Sequence, residues 1–296
     1  MKKTIVAVCA LLGAIAGSQA SASTTYGLLS NFSGGYGNYG ITTGVDGSIN
    51  STAYTSPGYS NGASEYISTY TQNTGNSHGD SGALPSSATS IPDPTNGSSV
   101  QSSLLSLSKG QSVSFAFDFL TTDTGYSSTY YPDYSWAALY EDDASTGNSA
   151  SLVGYLFTAE AWSGGARVDA GVVNSTIGTV TQPTASVVTY NPTFSQLGPE
   201  SGQCWSLGNG SAGCGYTGWS SVSYAVASTG SYFVTFGVTN VGDKLYDSAL
   251  AIANLVVSGT ASGAQGGGST VPEPWTLALL LSGLTAAAMV RKRTAL

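Results

Sequence analysis

Few residues in this chain could do chemistry, and the first question is whether any of them are spaced to do it. The single histidine, His78, stands three residues before Ser81 in the run H-G-D-S-G. A Ser–His pair of this kind needs the imidazole held against the hydroxyl and oriented by a buried aspartate. The run lies in the most polar stretch of the chain, which offers no packed support for that geometry. Asp123-Thr124-Gly125 resembles half of an aspartic-protease dyad, but two such aspartates must share a proton and no second D-T/S-G occurs. A carboxylate hydrolase would have to draw on Glu141, Asp142, Asp143, Glu160 and Asp169, with two carboxyls about 5–10 Å apart. Asp118, Asp123, Asp133, Asp243 and Asp247 flank strand-like runs and form a candidate Ca²⁺ set, since Ca²⁺ takes six to eight oxygens, often from loops. Each could equally cap a turn by accepting backbone N–H bonds. No EF-hand or nonapeptide pattern is present. Trp205 and Trp219, with Trp136 and Trp162 elsewhere, are candidates to stack on sugar rings, although aromatics in strands are more often core or cross-strand partners.

The elements that must position these groups are strands. Only 8% of the 296 residues are charged, with 39 glycines and 18 tyrosines. That composition disfavours long solvated helices and suits short strands joined by turns. In 112–122, Val113, Phe115, Phe117 and Phe119 alternate with Ser112, Ser114, Ala116 and Asp118. Runs at 135–141, 151–159, 186–190 and 248–258 follow, and 220–241 reads as a hairpin turning near Ser228-Thr229-Gly230. Period-two patterning between turn residues predicts an all-β antiparallel sandwich over 23–257. Residues 71–99, almost free of large apolar groups, are expected to form a long polar loop.

Charge is segregated. Between 23 and 270, Lys109, Arg167 and Lys244 are the only basic residues against fifteen acids, a formal −12. Such a body repels nucleic acid and anionic lipid. Cys204 and Cys214 are the two cysteines of this body, and a disulfide between them is expected in an oxidising compartment.

The ends have a different character. Lys2 and Lys3 precede an apolar run from Ile5 to Ala16 and a small-residue site, which predicts a secretory signal peptide cleaved between Ala22 and Ser23 by signal peptidase after Sec export. At the other end, a Gly/Ser-rich spacer (258–270) leads to Val271-Pro272-Glu273-Pro274. An uncharged run from Trp275 to Val290 and the cluster Arg291-Lys292-Arg293 follow. Sixteen residues is marginal against the ~20 needed to span a bilayer, and the basic cluster would stay on the cytoplasmic side. The alternative to a removable tail is a plain C-terminal anchor.

Spacer, V-P-E-P, short apolar run and terminal basic cluster, paired with a signal peptide, resemble the PEP-CTERM sorting signal of Gram-negative bacteria. The resemblance implies recognition of Val271 to Pro274 by exosortase and cleavage of the tail. It implies transient residence in the inner membrane through residues 275–290, and a stop cluster at 291–293. It covers about 26 residues. A second resemblance, carried by Asp118 and Asp123, by Asp133-Tyr134, and by Asp243, Tyr246, Asp247 and Ser248, is to choice-of-anchor domains. It implies a jelly-roll or lectin-like sandwich and no general enzymatic activity or obligatory cofactor. The function expected is a non-enzymatic exported surface or matrix protein associated with exopolysaccharide or biofilm. A carbohydrate-binding module and a secreted glycoside hydrolase are the alternatives.

Overall fold

The fold is built from strands that bury one face between two sheets. A computed structural model describes residues 24–26, 33–42, 46–50, 64–70, 84, 94–123, 132–143, 150–162, 165–168, 172–173, 175–182, 191–205 and 214–259. All belong to the first of the two units into which the chain divides, 1–262 and 263–296. Residues 1–23 and 260–296, which hold the expected signal peptide, its Ala22–Ser23 cleavage site, the V-P-E-P motif and the tail, lie outside the described residues, as do His78, Ser81 and Asp169. Among the described residues no helix is long and apolar enough to cross a membrane.

Fifteen strands are described: β1 (Thr24–Tyr26), β2 (Ser33–Tyr36), β3 (Asn38–Thr42), β4 (Ser64–Ser68), β5 (Pro94–Gln101), β6 (Leu105–Leu107), β7 (Ser112–Thr121), β8 (Tyr134–Asp142), β9 (Ser151–Trp162), β10 (Gly165–Val168), β11 (Thr179–Thr181), β12 (Gly215–Tyr216), β13 (Ser220–Ala225), β14 (Gly230–Val241) and β15 (Ser248–Ser258). The first sheet runs β11-β13-β7-β15-β4-β3, with β1 on β15 and β12 on β7. The second runs β10-β9-β8-β14-β5-β2, with β6 on β14. Every pairing among these strands is antiparallel. The protein is an all-β sandwich.

The alternation in β7 sets the middle of the fold. Val113, Phe115, Phe117 and Phe119 point into the core between the sheets, where they meet Phe157, Val234, Phe236 and Val238 from the opposite sheet. Phe117 and Phe157 stack with ring centroids 3.7 Å apart, and Phe115 meets Phe236 edge-on at 5.0 Å. The other face of β7 is also buried. Ala116 and Leu120 join Ala249, Ala251 and Ala253 of β15 beneath Ile49, Phe194, Leu197 and Trp219. The small alanines let this covering layer lie close. A third cluster, with Tyr134, Trp136 and Tyr155, packs on the outer face of the second sheet.

Two expectations are corrected. The 220–241 stretch is not a hairpin. β13 pairs with β7 in the first sheet and β14 with β8 and β5 in the second, so the turn near residues 226–229 carries the chain between sheets. The 71–99 stretch is not a loop throughout, because 94–99 belongs to β5, paired with β14. β5 is short of apolar side chains yet holds its place by polar ties. Asn96 Nδ2 donates to the Thr69 carbonyl at 3.0 Å, and Ser98 Oγ donates to the Ser68 carbonyl across the sandwich. Gly37, at φ +82°, turns the chain from β2 in one sheet to β3 in the other. A Cβ there would lie 2.1 Å from Ser98 Oγ, so glycine is required both for the left-handed turn and for the close approach.

Candidate functional site

The five candidate calcium aspartates fall into three groups. Asp118 sits mid-strand in β7, wholly buried, where Thr217 Oγ1 donates to its Oδ1 at 3.2 Å. Burial pushes its carboxyl up from 3.8 to about 8, against the hydrogen bonds from Thr217 and Gly218 that favour the ionised form. Asp133 precedes β8 and spans the sheets. Its Oδ1 accepts Val241 N–H at 2.9 Å in the second sheet, and its Oδ2 lies 2.7 Å from Ser248 Oγ in the first. Burial holds Asp133 well above the carboxylate range, and the charges of Asp123 and Asp243 add to that. Asp123 is buried beside it, while half-buried Asp243 closes its own turn by accepting Leu245 N–H at 2.7 Å. Asp247 accepts Thr69 Oγ1–H at 2.8 Å and is raised to about 7, chiefly by burial and further by Glu200.

The five are therefore not gathered into one shell. Among the described residues no three acid, histidine or cysteine side chains are grouped closely enough to hold a metal ion. What the arrangement does is join the sheets. Ser248 Oγ–H donates to Asp133 Oδ2, and the same hydroxyl lies 2.9 Å from Thr121 Oγ1, which accepts Asp123 N–H at 3.1 Å. This chain of hydrogen bonds runs through the polar end of the sandwich.

Of the acids considered for hydrolysis, Glu160 and Glu141 are also far apart. Glu160 faces Tyr134 at the start of β8, and Glu141 faces Ser151 near its end. Seven residues of strand separate the two levels, roughly 23 Å, beyond the span of a glycosidase pair. Glu160 is 7% exposed and accepts Arg167 Nε–H at 2.7 Å, with a second contact from the Arg167 terminal nitrogen. Burial raises Glu160, and Arg167 opposes that shift. The Arg167 guanidinium also lies 3.5 Å over the Trp162 ring. Arg167 thus locks the β9–β10 hairpin. Its isolation among acids was visible in the sequence, but the strand register that selects Glu160 was not.

The two tryptophans proposed for stacking have different fates. Trp219 is 8% exposed and its indole N–H donates to the Ile49 carbonyl. Packed in the layer over β7, it offers no open ring face, which corrects its assignment as a sugar platform. Trp205 is half-buried, with its backbone N–H on the Thr122 carbonyl at 3.0 Å. It stands next to Cys204, which is bonded to Cys214 across a Cα–Cα distance of 5.7 Å. That pair was expected and is present. Cys204→Ser should lower stability by about 2–3 kcal/mol, since the bridge closes a short loop. Equilibrium urea unfolding under non-reducing conditions checks this, and reductant should bring the unmodified protein to the same midpoint.

Pattern reading missed a cleft at one lateral edge of the sandwich. It encloses about 420 Å³ and is lined by Phe157 and Thr158 of β9, Val168 of β10, and Thr176, Val180 and Gln182 on and around β11. The segment before β11 closes it, tied to β9 by Ile177 N–H on the Tyr155 carbonyl at 2.7 Å. Gly178 completes the lining where a Cβ would strike the Leu156 carbonyl oxygen at 2.2 Å. No signal in the sequence joins these three elements, because the edges of two different sheets make the cleft. No family model, curated protein or solved structure matches the chain.

Proposed function

We propose that the chain is a non-enzymatic exported surface or extracellular-matrix protein, sorted by exosortase through its C-terminal signal and associated with exopolysaccharide. The observation that carries this reading is the order of elements after residue 258: glycine-rich spacer, Val271-Pro272-Glu273-Pro274, sixteen uncharged residues, then Arg291-Lys292-Arg293. Prolines bar the motif from a helix interior, so the motif would stay extended outside a marginal membrane segment, open to a processing enzyme. The Cys204–Cys214 bond supports an oxidising destination. A body held by strands, polar inter-sheet ties and one staple suits a protein that persists outside the cell. The jelly-roll or lectin-like form is the specific kind of sandwich this reading implies.

Intact-mass analysis of the protein released from the bacterial surface tests it. The expected species begins at Ser23 and ends near Pro272. A released species that retains Arg291–Arg293 overturns the sorting route.

A further inference from the structure

We propose that the cleft between β9, β10 and β11 binds a neutral saccharide of one or two rings. The inference rests on the matrix role for the source of such a ligand, while its chemistry comes from the lining. A volume of about 420 Å³ lies within the range of small-molecule pockets. None of the described lining side chains is ionisable, in a body whose formal charge is −12. An anion would meet the repulsive field of the whole body without a cationic contact. A metal cation would find no carboxylate among the described lining residues.

The remaining choice is between an apolar ligand and a neutral polar one. Val168 and Val180 supply aliphatic surface, while Thr176 and Gln182 supply a hydroxyl and an amide. A purely apolar ligand would strip water from such groups without replacing its hydrogen bonds. A sugar ring presents C–H faces to the valines and hydroxyls that both donate and accept, matching groups that can do either.

Titration calorimetry of the mature protein with maltose and cellobiose tests the assignment, with a uronic-acid disaccharide as the anionic probe. The expected result is binding of at least one neutral disaccharide with a Kd on the order of 1 mM or tighter. Val180→Trp, which fills the cleft, should weaken it about tenfold or more. Gln182→Ala, at an exposed rim position, should weaken it about threefold with an unchanged melting temperature. Leu104→Ser, at a 54% exposed leucine elsewhere, should leave binding alone. Absence of binding by both neutral probes overturns the proposal. So does stronger binding of the anionic probe, or neutral binding that survives both cleft variants. The mass of the released protein reports on sorting independently of any of these results.

Discussion

Asp133→Ala should lower the stability of the body by about 3–4 kcal/mol, the range for a broken buried polar pair, and its melting temperature by about 10 °C. The reason is the position of Asp133 between the sheets. Alanine leaves buried Val241 N–H without its acceptor and takes from buried Ser248 Oγ one of its two partners, leaving Thr121 Oγ1. The stranded N–H loses water in the folded state without recovering a hydrogen bond. Asp133→Asn should behave differently. The amide oxygen still accepts Val241 N–H, and the amide nitrogen can donate to Ser248 Oγ, reversing the direction of that bond. The substitution also removes a carboxyl that burial, Asp123 and Asp243 all disfavour in ionised form. Its stability relative to the unmodified protein should therefore be greater at pH 8 than at pH 5. Thermal melts of the three proteins at both pH values check this. Equal melts for the alanine and asparagine variants would show that the tie contributes nothing.

How much of this was legible beforehand depended on what held each element. β7 could be read at once, because Phe115, Phe117 and Phe119 alternate and their apolar burial is the force that places them. β5 could not. Its inward residues are Asn96, Ser98 and a single apolar one, Val100, and hydrogen bonds to the carbonyls of Thr69 and Ser68 help to set its place. Hydrophobic periodicity is blind to such a strand. The false hairpin at 220–241 has a related cause. Two strands beside a turn signal look like local partners, yet β13 is claimed by β7, a hundred residues earlier.

The acids show the same division. Their types suggested that they mattered, and Asp133 and Asp247 do, as acceptors at the junction of the sheets. Whether they ligate an ion, face each other as catalysts or tie strands together is decided by register. Glu160 ended beside Arg167 because β10 folds back on β9 with those two residues paired. The cleft was the least legible feature, since its lining is assembled from the edges of both sheets.

The body should be most stable in mild acid, with its melting temperature falling by about 10 °C or more between pH 5 and pH 8.5. In the unfolded chain an aspartate titrates near its ordinary 3.8, whereas folding raises Asp118 to about 8 and Asp247 to about 7. Between those values the folded state holds a proton that the unfolded state has released. Rising pH therefore favours unfolding. The contribution is fully present below about pH 3.8, is lost as pH rises through 7 to 8, and stays lost above that. Asp133 is displaced in the same direction, and the −12 body adds self-repulsion as its acids ionise. Asp118 alone, displaced by about four pKa units while wholly buried, accounts for on the order of 5 kcal/mol. Asp118→Asn isolates that share, because the amide oxygen still accepts Thr217 Oγ1–H while nothing is left to ionise. Its melting temperature should be close to that of the unmodified protein at pH 5 and well above it at pH 8.5. A melting temperature that rises with pH in the unmodified protein, or a slope that Asp118→Asn leaves untouched, would show that burial does not hold this carboxyl protonated.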